Sequence, residues 1–259
     1  MKGSRLGLRF VALGYLTVLL LVPVGIVLYR TFEHGIGHFW DSITTPAAQH
    51  AFMLTIEVVA ITVPLVTVFG ILLALVLVRT EFRGKAIVET IVDLPFAISP
   101  VVVGIALIFL YGRGGWIDPG VQIIFSVPGI VLATMFVCMP FVTREVVPVL
   151  QEIGDEQEQA AVTLGANGWQ TFWRVTLPAI RWGVVYGVVL STARAVGEFG
   201  AVSVVSGHIA GQTETLTLLV EKRFNNFDLS GAYAASALLA FIALATLFAM
   251  TLIKPRREA

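Results

Sequence analysis

Five stretches of the chain are mainly apolar and hold no charged side chain: residues 10–29, 58–78, 94–112, 121–143 and 229–253. A bilayer core about 30 Å thick is crossed by roughly 20 residues of helix, so each run predicts a span. A sixth stretch, 182–206, has suitable length but contains Arg194 and Glu198. The pattern predicts an all-α polytopic membrane protein of six transmembrane helices, with a polar intrusion in the fifth. The two-residue alternation of a membrane β-barrel is missing.

Composition agrees. Of 259 residues 57% are apolar and 13% charged, against about 25% charged in a soluble domain. Mean hydropathy is +0.87. Too few polar side chains remain to cover a water-soluble enzyme. Lys plus Arg and Asp plus Glu both total 17, which argues against a nucleic-acid partner. The lone Cys138 rules out an intrachain disulfide or cysteine cluster. Lys2, Arg5 and Arg9 precede the first run as in a secretory signal, but no small-residue cleavage site follows Tyr29. The run is expected to stay attached as a helix in contact with lipid.

Cationic residues near span ends favour the cytoplasm. Twelve fall on one side: Lys2, Arg5, Arg9, Arg79, Arg83, Lys85, Arg144, Arg174, Arg181, Lys254, Arg256 and Arg257. Four fall on the other: Arg30, Arg113, Lys222 and Arg223. Both termini are therefore expected in the cytoplasm. The chain divides into an N-terminal helix with an external loop (1–48), a five-helix core (49–253) and a cytoplasmic tail (254–259). Gly35, Gly37 and Pro46 mark the external loop as broken. Pro23, Pro64, Pro100, Pro128 and Pro140 predict kinks in spans one to four, which in transporters can line a pathway.

Between spans four and five the chain reads DEQEQAAVTLGANGWQTFWRVTLP from Asp155 to Pro178. Asp155 with Glu158 predicts a helix-capping box, Gly165 a left-handed C-cap, and Asn167 the cap of a second short helix. Pro178 would then open span five. Physics alone leaves two readings open, a connector lying on the membrane and a docking site for a cytoplasmic partner.

The pattern Gln159-Ala160-Ala161, Gly165 and Leu177-Pro178 resembles the EAA loop of bacterial ABC-importer permeases, with Gln159 where that family has glutamate and Val175 where it has isoleucine. The resemblance implies a type I permease fold with a coupling segment over 152–178. Gln159, Ala160, Ala161, Leu164, Gly165, Leu177 and Pro178 would meet an ATPase there. The runs DLPFAISPVVVG from Asp93 and GEFGAVSVVSG from Gly197 are similar to permeases for sulfate, thiosulfate and molybdate, and most like the W-type sulfate/thiosulfate permeases. This implies a sulfate importer, with a molybdate/tungstate importer as the alternative. Implied partners are a T-type permease, two ATPase subunits and an external sulfate-binding protein, in a bacterial inner membrane. No cofactor is implied, and no phosphate-binding loop occurs in the chain.

An ionised side chain at a span centre costs about 2.5–3.5 kcal/mol on insertion scales. Arg194 and Glu198 stand at i, i+4 and predict a bundle ion pair. The other reading is that Arg194 gives the pathway positive potential for a divalent oxyanion. Outside the membrane, Leu216, Leu219, Val220, Arg223 and Phe224 predict one helical face that docks a partner or rests at the interface. His34 and His38 do not make a metal site. An intramembrane hydrolase is the remote functional alternative, but no histidine lies within a span and no G-x-S-x-G elbow occurs.

Overall fold

The computed structural model describes residues 10–117 and 120–253, with side chains at 247 and 249–253 excepted. Six cations of the orientation count (Lys2, Arg5, Arg9, Lys254, Arg256 and Arg257) and the 254–259 tail lie outside the described residues. Among those described there is no strand. The helices are α1 (Phe10–Phe32), α2 (Ile36–Ile43), α3 (Pro46–Arg79), α4 (Lys85–Ala97), α5 (Pro100–Tyr111) and α6 (Val127–Ile153). They continue as α7 (Glu156–Thr163), α8 (Gly168–Val196), α9 (Gly200–Val205), α10 (Leu216–Asn225) and α11 (Leu229–Ile253).

Three helices, α3, α6 and α8, form the centre. The 34 residues of α3 span about 51 Å at 1.5 Å per residue, well past a hydrocarbon core. Thr45 caps it, its Oγ1 accepting from the Ala48 N–H at 3.3 Å. Close approach comes from glycine. A Cβ on Gly70 would lie 2.7 Å from Val142 Cβ, and one on Gly187 would lie 2.7 Å from Val142 Cα. Val142 of α6 is thus wedged between backbones of two neighbours, the small-residue packing that association in lipid relies on. In contrast, α1 leans on α11 and buries almost nothing, although Thr31 Oγ1 donates to Tyr233 O at 3.0 Å.

Several elements differ from the expectation. The third span is not one rod: α4 and α5 meet at Ile98–Ser99 with a bend of 112°. Pro100 opens α5, where its missing N–H leaves nothing unpaired. Pro128 likewise opens α6 rather than kinking it, and α6 begins at Val127 and not at 121. The fifth span stops at Val196 and restarts at Gly200. The external loop contains a helix, α2, and the division at 48/49 falls inside α3. Arg144 sits within α6, nine residues before its C-terminal end at Ile153.

The second short helix expected between spans four and five is also not separate, because Gly168–Val196 runs as one helix that includes the fifth span. A π segment, Phe172–Thr176, ends two residues before Pro178, and the Leu177 N–H bonds to Phe172 O. The same device, Thr17–Leu21, precedes Pro23. A wider π turn moves the carbonyls away from the proline ring, so the helix passes a residue that would otherwise break it.

Candidate functional site

The segment between α6 and α8 is held by one carboxylate. Asp155 makes no side-chain cap to the backbone, and Gln159 Nε2 instead donates to Asp155 Oδ2 at 2.7 Å. The predicted capping box at Asp155 and Glu158 is therefore absent. Glu158 turns inward: it accepts from Arg79 Nε at 2.9 Å and from Thr176 Oγ1 at 2.8 Å. Arg79 also donates to Leu150 O at 3.3 Å and Gly154 O at 2.6 Å, satisfying carbonyls that the end of α6 leaves unpaired. Helices α3, α6, α7 and α8 all converge on this network. Its stronger pull on Glu158 overrides the local cap.

Gly165 has φ +88°. Its N–H bonds to Val162 O at 2.9 Å and the Ala166 N–H to Ala161 O at 3.0 Å, which closes a Schellman motif. Asn167 and Gln170 then form a reciprocal capping box at 2.9 and 3.0 Å. The result is a short helix displayed at the surface. Gln159, Ala160, Leu164, Gly165 and Pro178 are exposed, Ala161 is half-buried, and Leu177 packs into the core against Leu150 and Ile180. Leu164 is 89% exposed and Val162 58%, two apolar knobs that nothing among the described residues covers.

Inside the bundle, two helix breaks face each other. Arg194 occupies the last turn of α8, not the middle of a continuous span, and its NH1 lies 2.7 Å from Glu198 Oε2. Glu198 sits in the Gly197–Phe199 break and its Oε1 accepts the Ala201 N–H at 3.0 Å. A cation thus meets a helix C-terminus and a carboxylate a helix N-terminus, which is the favourable sense for both dipoles. The α4/α5 break lies alongside. A Cβ on Gly200 would lie 3.0 Å from Pro100 Cβ, and one on Gly104 2.9 Å from Ala201 O. Between the breaks is a cleft of about 480 Å³ lined by Phe96, Ser99, Pro100, Val137, Phe141 and Arg194. The Glu198 side chain is 1% exposed but Arg194 is 33% exposed, so the cleft sees the cation and not its partner. Discontinuous helices flanking a cleft that exposes a charge are a recurring architecture of membrane transport sites.

In α10, Leu216, Leu218 and Leu219 are buried while Phe224 is exposed. Arg223 turns inward, with NH1 donating to Gly231 O at 3.0 Å and NH2 to Ser42 O at 2.9 Å. Phe224 and Arg223 therefore do not share the predicted face. Sequence reasoning missed buried Glu214, paired with Lys222 at 2.9 Å. No cluster of three metal-ligating side chains occurs among the described residues.

The family model for binding-protein-dependent transport system inner membrane components matches residues 66–259. The sulfate transport system permease protein CysW of Synechocystis sp. is 50% identical over 95% of this chain and 91% of its own length. CysW of Escherichia coli K12 is 46% identical over 93% of this chain and 84% of its own. The CysT permease of Synechocystis is 37% identical, covering 93% and 86%. A solved bacterial ABC transporter for the acidic polysaccharide alginate has a chain that aligns over 100% of this one and 97% of itself, with TM-score 0.80 at 19% identity. A second alginate transporter structure, in complex with a periplasmic protein bound to an alginate pentasaccharide, aligns over 98% and 95% with TM-score 0.81 and 18% identity.

Proposed function

Because this chain belongs to the binding-protein-dependent transport system inner membrane components, we propose that it is a permease subunit of an ATP-driven sulfate/thiosulfate importer. The observation that carries this reading is the displayed segment between α6 and α8. A helix with an 89% exposed leucine at its end, bolted to several spans by Glu158, is suited to take a push from a cytoplasmic partner. In this proposal residues 152–178 couple to an ATPase. Gln159, Ala160, Leu164 and Gly165 form the contact, and Leu177 with Pro178 roots it in the core. The five-helix core over 49–253 carries transport, and residues 1–48 add a peripheral helix and an external cover.

A homologous T-type permease completes the pathway, two ATPase copies hydrolyse ATP, and an external binding protein delivers the anion. The likeness to CysW and CysT chains supports the cargo and the pairing. The alginate complex supports an external delivery protein. Reconstitution of this chain with such partners should give ATP-dependent accumulation of radiolabelled sulfate in proteoliposomes. Accumulation of molybdate without sulfate would reassign the cargo, and accumulation of neither would remove the reading.

The proposed orientation has both termini cytoplasmic. Cys138 is buried, so its thiol gives a silent background for labelling. Single cysteines at Trp40 and Asn226 should react with an impermeant maleimide in intact cells. Cysteines at Phe82 and Gly168 should react only after the membrane is opened. The reverse pattern would invert the topology.

A further inference from the structure

A second arginine, Arg144, lies against Phe96, an aromatic wall of the cleft between the two helix breaks. Val137, Phe141 and Arg144 recur along one side of α6, at helical spacing. The first two line the cleft with Phe96. The seven residues from Val137 to Arg144 advance about 10 Å toward the cytoplasmic end. The Arg144 guanidinium lies 4.8 Å over the Phe96 ring, and Phe96 meets Phe141 edge-on at 5.4 Å. Asp93 on α4 holds it from one side, with Nε donating to Oδ1 at 2.8 Å and NH2 at 2.8 Å from Oδ2.

This arrangement repeats the one above it. In each case a carboxylate occupies part of a guanidinium: Glu198 takes one nitrogen of Arg194, and Asp93 takes two of Arg144. The lower pair is the more open, with Arg144 56% and Asp93 44% exposed. An exposed ion pair contributes only about 0–1 kcal/mol to stability, so holding the fold is a small part of what this one does. Phe96 and Asp93 hold the guanidinium instead, and Asp93 engages Nε and NH2 but not NH1. A fixed planar fork suits an oxyanion, and a competing carboxylate keeps the hold weak enough for release.

We propose that Arg144 is a cytoplasmic release subsite for a divalent tetrahedral oxyanion, which it receives from the Arg194 level and yields in competition with Asp93. The proposal rests on the transport reading above. It is tested with the assembled transporter in proteoliposomes whose ATPase side faces the bath, with sulfate added to the bath as product. The wild-type protein should be inhibited by bath sulfate. Arg144→Gln should raise the half-inhibiting concentration roughly tenfold, the worth of one charge-assisted hydrogen bond. Asp93→Asn removes the competitor and should lower it severalfold. A merely structural pair would instead make both single variants change together.

Should Arg144→Gln fail to assemble, the Asp93→Asn, Arg144→Gln double variant leaves no unpaired charge and should still show the tenfold rise. Inhibition that is unchanged in every variant, or absent from the wild-type protein, would overturn the subsite. Failure of the wild-type transporter to accumulate sulfate at all would count against the proposed function instead.

Discussion

Arg194→Leu is expected to lower the yield of assembled protein far more than Glu198→Leu does. The first change strands a carboxylate that is 1% exposed, while the second strands a guanidinium that keeps 33% exposure. Breaking a buried pair from one side costs about 3–5 kcal/mol, and the burial here puts that cost on the arginine deletion. Pairing Arg194→Leu with Glu198→Gln should recover most of the yield, because glutamine can still accept the Ala201 N–H that caps α9. Sulfate uptake by that double variant should stay at least tenfold down, since the cleft has lost the cation that its walls expose. Purified yield and uptake across the cycle separate packing from passage. Full uptake in the double variant would remove Arg194 from the pathway, and a double variant as unstable as Arg194→Leu would remove the packing account.

Gly165→Asp is expected to abolish ATPase association while leaving insertion intact. A Cβ at Gly165 would meet nothing within 4 Å in this chain, so steric damage can arise only against a partner. The left-handed φ of +88° adds about 1–2 kcal/mol of local strain. A negative charge at a helix C-terminus is also unfavourable. Gly165→Asn, which tolerates that backbone and carries no charge, isolates the electrostatic part and should bind the ATPase better than the aspartate variant. Co-purification with the ATPase and stimulated hydrolysis are the measurements. Wild-type transport by Gly165→Asp would sink the docking assignment.

The elements that the sequence reveals are those whose cause is local. Apolar runs mark the spans, Gly165 marks its cap, and Asn167 marks the start of the next helix. The i, i+4 spacing brings Arg194 to Glu198 even though the helix ends between them. What the sequence conceals depends on distant partners. Glu158 looks like a capping-box residue until Arg79, 79 positions away, takes it. Arg144 reads as an orienting charge until Asp93 and Phe96 fold against it. The breaks at Ile98–Ser99 and Gly197–Phe199 are hidden for another reason. Apolarity reports that a segment can enter the bilayer but not that its backbone stays helical throughout. Prolines were a partial guide only, since Pro100 and Pro128 start helices and π segments carry the chain past Pro23 and Pro178.

The convergence on Glu158 decides how force would travel. A short helix hung between two flexible linkers can tilt, slide and rotate freely, and a push on it would be dissipated in those motions. Here one oxygen of its carboxylate takes the Thr176 hydroxyl while Arg79 reaches past the other to the end of α6. Tilt is resisted from one side and sliding from the other. The segment is a stiff strut rather than a hinge. In the proposed coupling, a displacement delivered at Leu164 would move the adjoining ends of α3, α6 and α8 together, and the compliance would have to lie further along, at the two helix breaks around the cleft.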